Sequence, residues 1–159
     1  MAQRGLWFVT VTSETRVATL ADLPGLLAVV RQFYQHFEFS WHEERKRKLL
    51  EELLIRPELG RLWLVSQDKK IVGYALVAFW FSLEFDGRTA LLDEFFLVPE
   101  ARGGGTGNAV LEVVESELRQ DGIRVIRLEV DRAQARAATL YARRGYVASA
   151  RELWCKELS

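Results

Sequence analysis

The chain has few of the residues from which metal and thiol sites are built. Its 159 residues include one cysteine, Cys155, and two histidines, His36 and His42. A disulfide within the chain and a cysteine-rich zinc site are therefore excluded, and two histidines provide too few soft ligands for a common zinc centre. We expect no metal ion, and we expect Cys155 to be a buried strand residue rather than a nucleophile. A lone thiol fits a reducing compartment such as the cytoplasm.

Long apolar runs and an excess of charge of one sign are also missing. The longest apolar run, residues 74–81, is much shorter than the about 20 residues that cross a bilayer. The apolar residues 6–11 are too few for the core of a signal peptide. Lys and Arg together number 22, as do Asp and Glu, whereas a non-specific nucleic-acid binder usually has a strong basic excess. These absences predict a soluble, cytoplasmic protein that binds neither a membrane nor nucleic acid.

Only three prolines and no Gly/Ser-rich linker interrupt the chain. We therefore expect a single domain over residues 1–159, in which residues 1–13 are either a flexible extension or an extra strand. Apolar spacing predicts the element order β-α-α-β-β-β-α-β-α-β-β, which is an α/β fold (an α+β mixed sheet) with helices on its faces. Asp86-Gly87 predicts a hairpin between two of the strands. The predicted strands cover residues 16–20, 61–66, 71–85, 89–98, 125–130, 146–148 and 152–158.

The most informative segment is a glycine-rich turn between a predicted strand and a predicted helix. It reads Gly103-Gly104-Gly105-Thr106-Gly107. Glycine allows positive φ and a close approach of the backbone to a ligand, and the N–H groups at the start of a helix attract phosphate oxygens. The turn therefore predicts a phosphate-bearing ligand on the amides of residues 102–108. The alternative is a glycine-rich turn that binds nothing.

Two nucleotide-binding patterns fail at this turn. No Lys-Ser/Thr pair follows the glycines, as a nucleotide P-loop requires, and a G-x-G-x-x-G fingerprint would place Asn108 or Val110 at its last glycine. What does match is Arg102-x-x-Gly105-x-Gly107. It resembles the Q/R-x-x-G-x-G/A motif of the GNAT superfamily of acetyl-CoA-dependent N-acetyltransferases.

The resemblance covers most of the chain from Arg61 onward. Ala137-x-x-Leu140-Tyr141-x-x-x-Gly145-Tyr146 is similar to the family's A-x-x-x-Y-x-x-x-G-F signature. Residues 72–107 look most like the spermidine/spermine acetyltransferase branch of the family. Many bacterial members have similar segments, so this resemblance does not imply a polyamine substrate for this chain. Three further segments resemble the family's third, fourth and fifth strands: residues 72–75, 91–99 and 128–130.

The resemblance implies the acyl-CoA N-acyltransferase fold, in which strands four and five splay apart around the cosubstrate acetyl-CoA. Backbone groups of Phe96, Leu97 and Val98 would hold the pantetheine arm. Gln134, where relatives often have Asn, would contact this arm from the next helix, together with Ala137 and Tyr141. The amides that would hold the diphosphate belong to Arg102, Gly103, Gly104, Gly105, Thr106, Gly107 and Asn108.

The same resemblance implies direct attack of an amine on the thioester. Tyr141 matches the general-acid tyrosine that protonates the departing sulfur. Asp93 matches the position of the base, and Glu94 is its close competitor. Because adjacent strand residues face opposite sides, we expect one of the two to reach the acceptor, either as a base, directly or through a water, or as an attractor of a cationic amine.

Two questions stay open at this point. The arginines at positions 132, 136, 143 and 144 either attract the anionic cofactor or form an exposed helix face. The acceptor, a small molecule, an amino-acid-like compound or a peptide N-terminus, would lie over the first helices, near aromatic residues that are more typical of a core: Phe33, Tyr34, His36, Phe37, Phe39 and Trp41. The alternative function is a non-catalytic acyl-CoA-binding regulatory module on the same fold. A homodimer through residues 152–158 is compatible with the enzyme.

Overall fold

The computed structural model describes residues 13–131 and 133–158, so the predicted N-terminal extension lies outside the described residues except for Ser13. The chain divides into two compact units between Glu129 and Val130. No helix in the described ranges is both long and apolar enough to cross a bilayer. The strands are β1 (Ser13–Val17), β2 (Gly60–Gln67), β3 (Lys70–Ser82), β4 (Gly87–Leu97) and β5 (Ile126–Leu128), and the α-helices are α1 (Leu23–His36), α2 (Glu43–Ile55), α3 (Thr106–Gln120) and α4 (Ala135–Arg143).

The strands form one mixed sheet in the order β1-β2-β3-β4-β5. The first four are antiparallel neighbours, and β5 pairs with β4 in parallel. β3 and β4 are joined by a turn in which Asp86 and Gly87 have φ of 57° and 134°. This is the positive-φ backbone that an Asp-Gly pair adopts readily. The predicted mixed sheet and its hairpin are confirmed.

Both faces of the sheet are covered. Phe33 of α1 is buried against Tyr74 and Phe96 on one face. Residues next to one another in a strand point to opposite faces. Trp63, between the core residues Leu62 and Leu64, therefore points away from α1, and its indole N–H donates to Glu117 of α3 at 2.8 Å. α3 buries the apolar stripe that its sequence predicts: Val110, Leu111, Val114 and Leu118.

A β-bulge in β4 separates two neighbouring acidic residues. Along the β3–β4 ladder, Leu76 pairs with Glu94 and Val77 pairs with Leu92, so Asp93 has no residue opposite it. Leu76 packs against the α1 core, and Val77 must point to the other face. Glu94 therefore lies on the α1 face. Without the extra residue, Glu94 would share the face of Leu92.

The second unit contains α4 and the residues that follow it. Gly145 has a φ of 89°, and the Tyr146 N–H donates to the Tyr141 carbonyl at 3.0 Å. This is the Schellman arrangement, and it confirms the prediction that Gly145 ends this helix.

The two strands predicted after α4 are wrong. Within the described part of the second unit, no strand follows Arg143, and residues 147–158 are exposed. An extended segment becomes a strand only where a neighbouring strand satisfies its backbone N–H and C=O groups. Cys155 is consequently exposed rather than buried. The homodimer through this segment stays a prediction.

Candidate active site

The last part of β4 has an edge that β5 does not cover. In the described chain β5 pairs with residues 90–92 of β4, whereas β4 continues to Leu97. On the opposite edge, the Val98 N–H donates to the Val72 carbonyl at 2.8 Å. Hydrogen-bonded and non-hydrogen-bonded pairs alternate along an antiparallel ladder. Leu97 therefore directs its N–H away from β3, toward the edge of β4 that β5 does not cover.

This alternation distinguishes the three residues predicted to hold the pantetheine arm. Leu97 presents its N–H to the uncovered edge, while Val98 is bonded to the β3 side and Phe96 faces that side by the same alternation. β3 approaches very closely here, because a Cβ on Gly73 would lie 2.4 Å from the Phe96 carbonyl oxygen. Leu97 is thus the strand residue whose amide is placed to meet a ligand along β4.

The glycine-rich turn begins a few residues after β4. Gly103, Gly104 and Gly105 have φ of 90°, 57° and 86°, a run that other residues adopt only with strain. A Cβ on any of the three would meet no atom of the described residues within 4 Å, so this part of the chain leaves the outer side of the turn open. The Ala109 N–H makes an i→i−4 bond to Gly105 at 3.0 Å. The amides that precede it lie at the helix N-terminus, where a phosphate group fits.

The side chain of Arg102 joins this turn to β4. Its Nε donates to the Leu97 carbonyl at 2.8 Å, and its guanidinium lies 5.5 Å from the centroid of the Phe96 ring. The arginine of the Arg102-x-x-Gly105-x-Gly107 motif therefore fixes the start of the turn relative to Leu97. This is a positioning role that the sequence alone did not indicate.

The carboxylate of Glu94 is held by hydroxyl groups from two elements. The Tyr74 hydroxyl of β3 donates to Oε2 at 2.7 Å, and the Tyr34 hydroxyl of α1 donates to Oε1 at 3.1 Å. Lys46 of α2 in turn donates from Nζ to the Tyr34 hydroxyl at 2.7 Å, and its ammonium lies 4.1 Å from the centroid of that ring. These contacts connect α1, α2 and β3 to one carboxylate on β4.

The surroundings of Glu94 shift its proton affinity in both directions. Burial, the largest effect, raises the pKa of the Glu94 carboxyl, and the Asp93 charge raises it further. The hydrogen bonds from Tyr74 and Tyr34 and the Lys46 charge lower it. The net result is a raised pKa. Burial and the Glu94 charge raise the pKa of both tyrosines, so their hydroxyls stay protonated donors. A carboxyl with a raised pKa suits a general base, since its proton affinity approaches the working pH.

Asp93 lies in different surroundings from Glu94. It occupies the bulge and is exposed, and partial loss of solvent at its carboxyl raises its pKa. The bulge interrupts the regular alternation on which the expectation that the two acids face different sides was based, and that expectation stays a prediction. Glu94, rather than Asp93, is the acid held between helices and sheet.

The predicted aromatic stripe divides between core and cleft. Phe33 is buried, which confirms the core interpretation for this residue. Phe37 and Trp41 pack partly buried against the same core, and His36 is exposed. Tyr34 and Phe39 line a cleft of about 600 Å³ at the junction of α1 and α2, together with Glu38, Ser40, His42, Arg45, Lys46 and Leu49.

The predicted residues of the second unit share one side of α4. Tyr141 is half-buried, and this burial raises its pKa to about 12. Its ring lies edge-on to Tyr146 at 5.6 Å. Ala137 is one turn before Tyr141 and also partly buried, and Gln134 is the N-cap residue of the helix. Four basic residues were predicted here. Arg136 and Arg143 are exposed and Arg144 is partly buried, whereas Arg132 lies outside the described residues.

Sequence reasoning missed the partners of Glu94. Tyr34 was one member of an aromatic stripe, Tyr74 belonged to an apolar strand, and Lys46 belonged to a charge run that is typical of a solvated helix face. The one available signal was the helical spacing of the apolar residues in the first helix, which places Tyr34 on the helix face that carries core residues. Within residues 13–131 and 133–158, no group of three or more His, Cys, Asp or Glu side chains is placed to hold a metal ion.

The chain is similar to curated acetyltransferases over part of its length. It is 31% identical over 113 residues to a mycothiol acetyltransferase of Beutenbergia cavernae and 28% identical over 95 residues to an IAA acetyltransferase of Azospirillum brasilense. These matches cover 68% and 60% of this chain but only 37% and 59% of those proteins. A match to an uncharacterized N-acetyltransferase of Bacillus subtilis, YhfO, is 25% identical and covers 82% of this chain and 87% of that protein.

Solved structures share the fold over nearly the whole chain. An integron cassette protein from the mobile metagenome of the Cole Harbour salt marsh is similar with a TM-score of 0.83 and 32% identity, over 91% of this chain and 90% of that one. A predicted acetyltransferase of Clostridium acetobutylicum, solved with acetyl-CoA, is similar with a TM-score of 0.77 and 16% identity, over 91% and 96% of the two chains. The model of the acetyltransferase (GNAT) family matches residues 26–146, and the chain belongs to this family.

Proposed function

We propose that the chain transfers the acetyl group of acetyl-CoA to a primary amine by direct attack. The observation that carries this proposal is the arrangement along the end of β4. A carboxylate with a raised pKa, an N–H on an uncovered strand edge and an open glycine-rich helix N-terminus follow one another there. These are the three groups that a base, an oxyanion stabiliser and a diphosphate site require.

The glycine-rich turn is the proposed site of the CoA diphosphate. The positive φ values of Gly103, Gly104 and Gly105 let the backbone pass close to phosphate oxygens, and the open space outside the turn accommodates them. Arg102 holds the turn against the carbonyl of Leu97. The N–H of Leu97 then meets the thioester oxygen, where negative charge develops during the attack.

Glu94 is the proposed base. The amine nitrogen bonds to the carbonyl carbon, the carbon–sulfur bond breaks, and the surplus proton of the amine passes to Glu94 directly or through a water. Tyr34 and Tyr74 orient the carboxylate for this step with one hydroxyl on each oxygen. Asp93, exposed on the bulge, adds negative charge beside Glu94 and thereby raises its proton affinity.

Tyr141 is the proposed acid that protonates the departing thiolate. Its raised pKa of about 12 keeps the hydroxyl protonated at neutral pH. The support is the position of Tyr141 in the family signature and its place beside Ala137 on one side of α4. Gln134 is proposed to contact the pantetheine arm.

Thermal unfolding and turnover together test the proposal. Acetyl-CoA at about 100 times its Kd should stabilise the folded chain by about 2.7 kcal/mol and raise its Tm. With an amine panel, the Tyr141→Phe variant should lower kcat by about 100-fold, the lower end for loss of a general acid, with little change in the acetyl-CoA Kd. Tyr146→Phe, its neighbour in the same unit, is the matched control and should keep kcat.

The possible outcomes separate the two candidate functions. A Tm that acetyl-CoA does not move at millimolar concentration contradicts the proposal. Protection by acetyl-CoA without acetylation of any amine would instead support the regulatory module. The cytoplasmic location, the single domain and the homodimer stay predictions.

A further inference from the structure

We infer that the acceptor carries a carboxylate in addition to its amine, and that Arg45 and Lys46 bind this carboxylate in the cleft lined by Tyr34, whose hydroxyl contacts Glu94. The inference rests on the proposed acetyl transfer and deepens it by naming the acceptor class, a small amino-acid-like amine. It is argued from the charges, the distances and the walls of the cleft at the α1–α2 junction.

The first turns of α2 contain two cations that the described chain leaves without a carboxylate partner. Glu44 pairs with Arg47 and Lys48 along the helix, at 4.0 and 3.9 Å, and Glu43 pairs with Arg31 at 3.7 Å. For Arg45 and Lys46, no carboxylate of the described residues lies within ion-pair distance. Both line the cleft, and Glu38 is the one acidic residue among the described side chains that line it. The cleft thus presents two cations against one anion.

Lys46 connects this cleft to the proposed base. Its Nζ lies 2.7 Å from the Tyr34 hydroxyl, which lies 3.1 Å from Glu94 Oε1. The two distances place the ammonium no more than about 6 Å from the carboxylate. An ammonium group has three donors, and Tyr34 takes one of them. This separation is short enough for one small compound to reach both groups, with its amine at Glu94 and its carboxylate at Lys46, as an amino acid would.

The same charges disfavour two other acceptor classes. A polyamine would bring further positive charge beside Arg45 and Lys46, where like charges repel. A peptide N-terminus has no main-chain carboxylate at this spacing. The walls of the cleft also include exposed apolar side chains, since Phe39 is 54% and Leu49 is 49% exposed. They fit an amino acid with an apolar side chain.

Matched acceptors test the inference with the full chain and acetyl-CoA. Leucine and phenylalanine are compared with their decarboxylated forms, 3-methylbutylamine and 2-phenylethylamine, and with spermidine. The product is quantified by mass spectrometry, and kcat/KM is corrected for the neutral fraction of each amine. We expect kcat/KM to be at least about 10-fold higher for the carboxylate member of a pair, the usual scale for a charge-assisted contact.

Variants of α2 assign the effect to the proposed contacts. Arg45→Gln and Lys46→Gln should each lower kcat/KM for the amino acid by about 10-fold, mainly through KM, while leaving that for the decarboxylated amine less affected. Lys48→Gln, which removes a charge from the same helix outside the cleft lining, should leave the preference as it is.

The result that overturns the inference differs from the one that overturns the proposed function. Equal or better turnover of the decarboxylated amines or spermidine contradicts the inference while acetyl transfer stands. So does a preference that survives both glutamine variants. If no carboxylate compound is acetylated or raises the Tm of the acetyl-CoA complex, the inference is also wrong. Failure of acetyl-CoA itself to bind would contradict the proposed function.

Discussion

At the scale of single residues, the face of the sheet on which Glu94 lies depends on its neighbour Asp93, which has no partner in the β3–β4 ladder. Asp93 occupies the bulge in β4, and this extra residue shifts Glu94 to the α1 face, where Tyr34 and Tyr74 donate to it. An ionised carboxylate that accepts two hydroxyl donors is stabilised, whereas burial and the Asp93 charge favour its protonated form. The balance of these contributions sets the pH at which the proposed base becomes active.

Tyr34→Phe should move the acid limb of the pH–rate profile to higher pH. A base must be ionised, so kcat/KM falls as the pH drops through the Glu94 pKa. The Tyr34 hydroxyl lowers that pKa, and its removal therefore raises the pKa and moves the limb upward. An acid limb at the wild-type pH would show that Glu94 is not the titrating base.

Asp93→Asn should move the same limb in the opposite direction. The Asp93 charge raises the pKa of Glu94, so neutralising it lowers that pKa and extends activity to lower pH. If Asp93 is itself the base, kcat instead collapses at every pH. The pair of profiles thus distinguishes the two carboxylates, a choice that the sequence left open.

At the scale of elements, the glycine-rich turn is the link between strand and helix that the sequence described best. Three consecutive glycines after a strand predicted positive φ and an open helix N-terminus, and both are present. The predicted strands after α4 failed, because alternation of polar and apolar residues reports a strand only where a neighbour pairs with it. The conformation of a turn depends on its own residues and can be predicted from them, whereas the pairing of a strand depends on another segment of the chain.

Gly105→Ala tests this turn against a matched control. Gly105 and Gly122 flank α3 with φ of 86° and 80°, and within the described part of the chain an added Cβ meets no atom within 4 Å at either position. Each alanine should cost about 1–2 kcal/mol of unfolding free energy through backbone strain. Only Gly105→Ala should also weaken acetyl-CoA binding, measured by calorimetry. Equal affinity in the two variants would separate the turn from the cofactor.

At the scale of the whole molecule, the mixed sheet and the order of the first nine predicted elements could be predicted, because apolar periodicity and turn residues are properties of the chain. The hydrogen-bond network around Glu94 could not be predicted from the sequence. It joins Tyr34, Lys46, Tyr74 and Glu94 from four elements, and no local pattern encodes their meeting. The bulge at Asp93 likewise depends on a register between β3 and β4 that the sequence of β4 does not specify.

The central claim is that the uncovered edge of β4 and the turn after it bind acetyl-CoA. A crystal structure of the chain with acetyl-CoA tests it most directly. The account predicts diphosphate oxygens within hydrogen-bonding distance of amides among residues 103–108, and the thioester oxygen at the Leu97 N–H. A cofactor bound elsewhere, or a Leu97 N–H paired with a neighbouring strand, would contradict it.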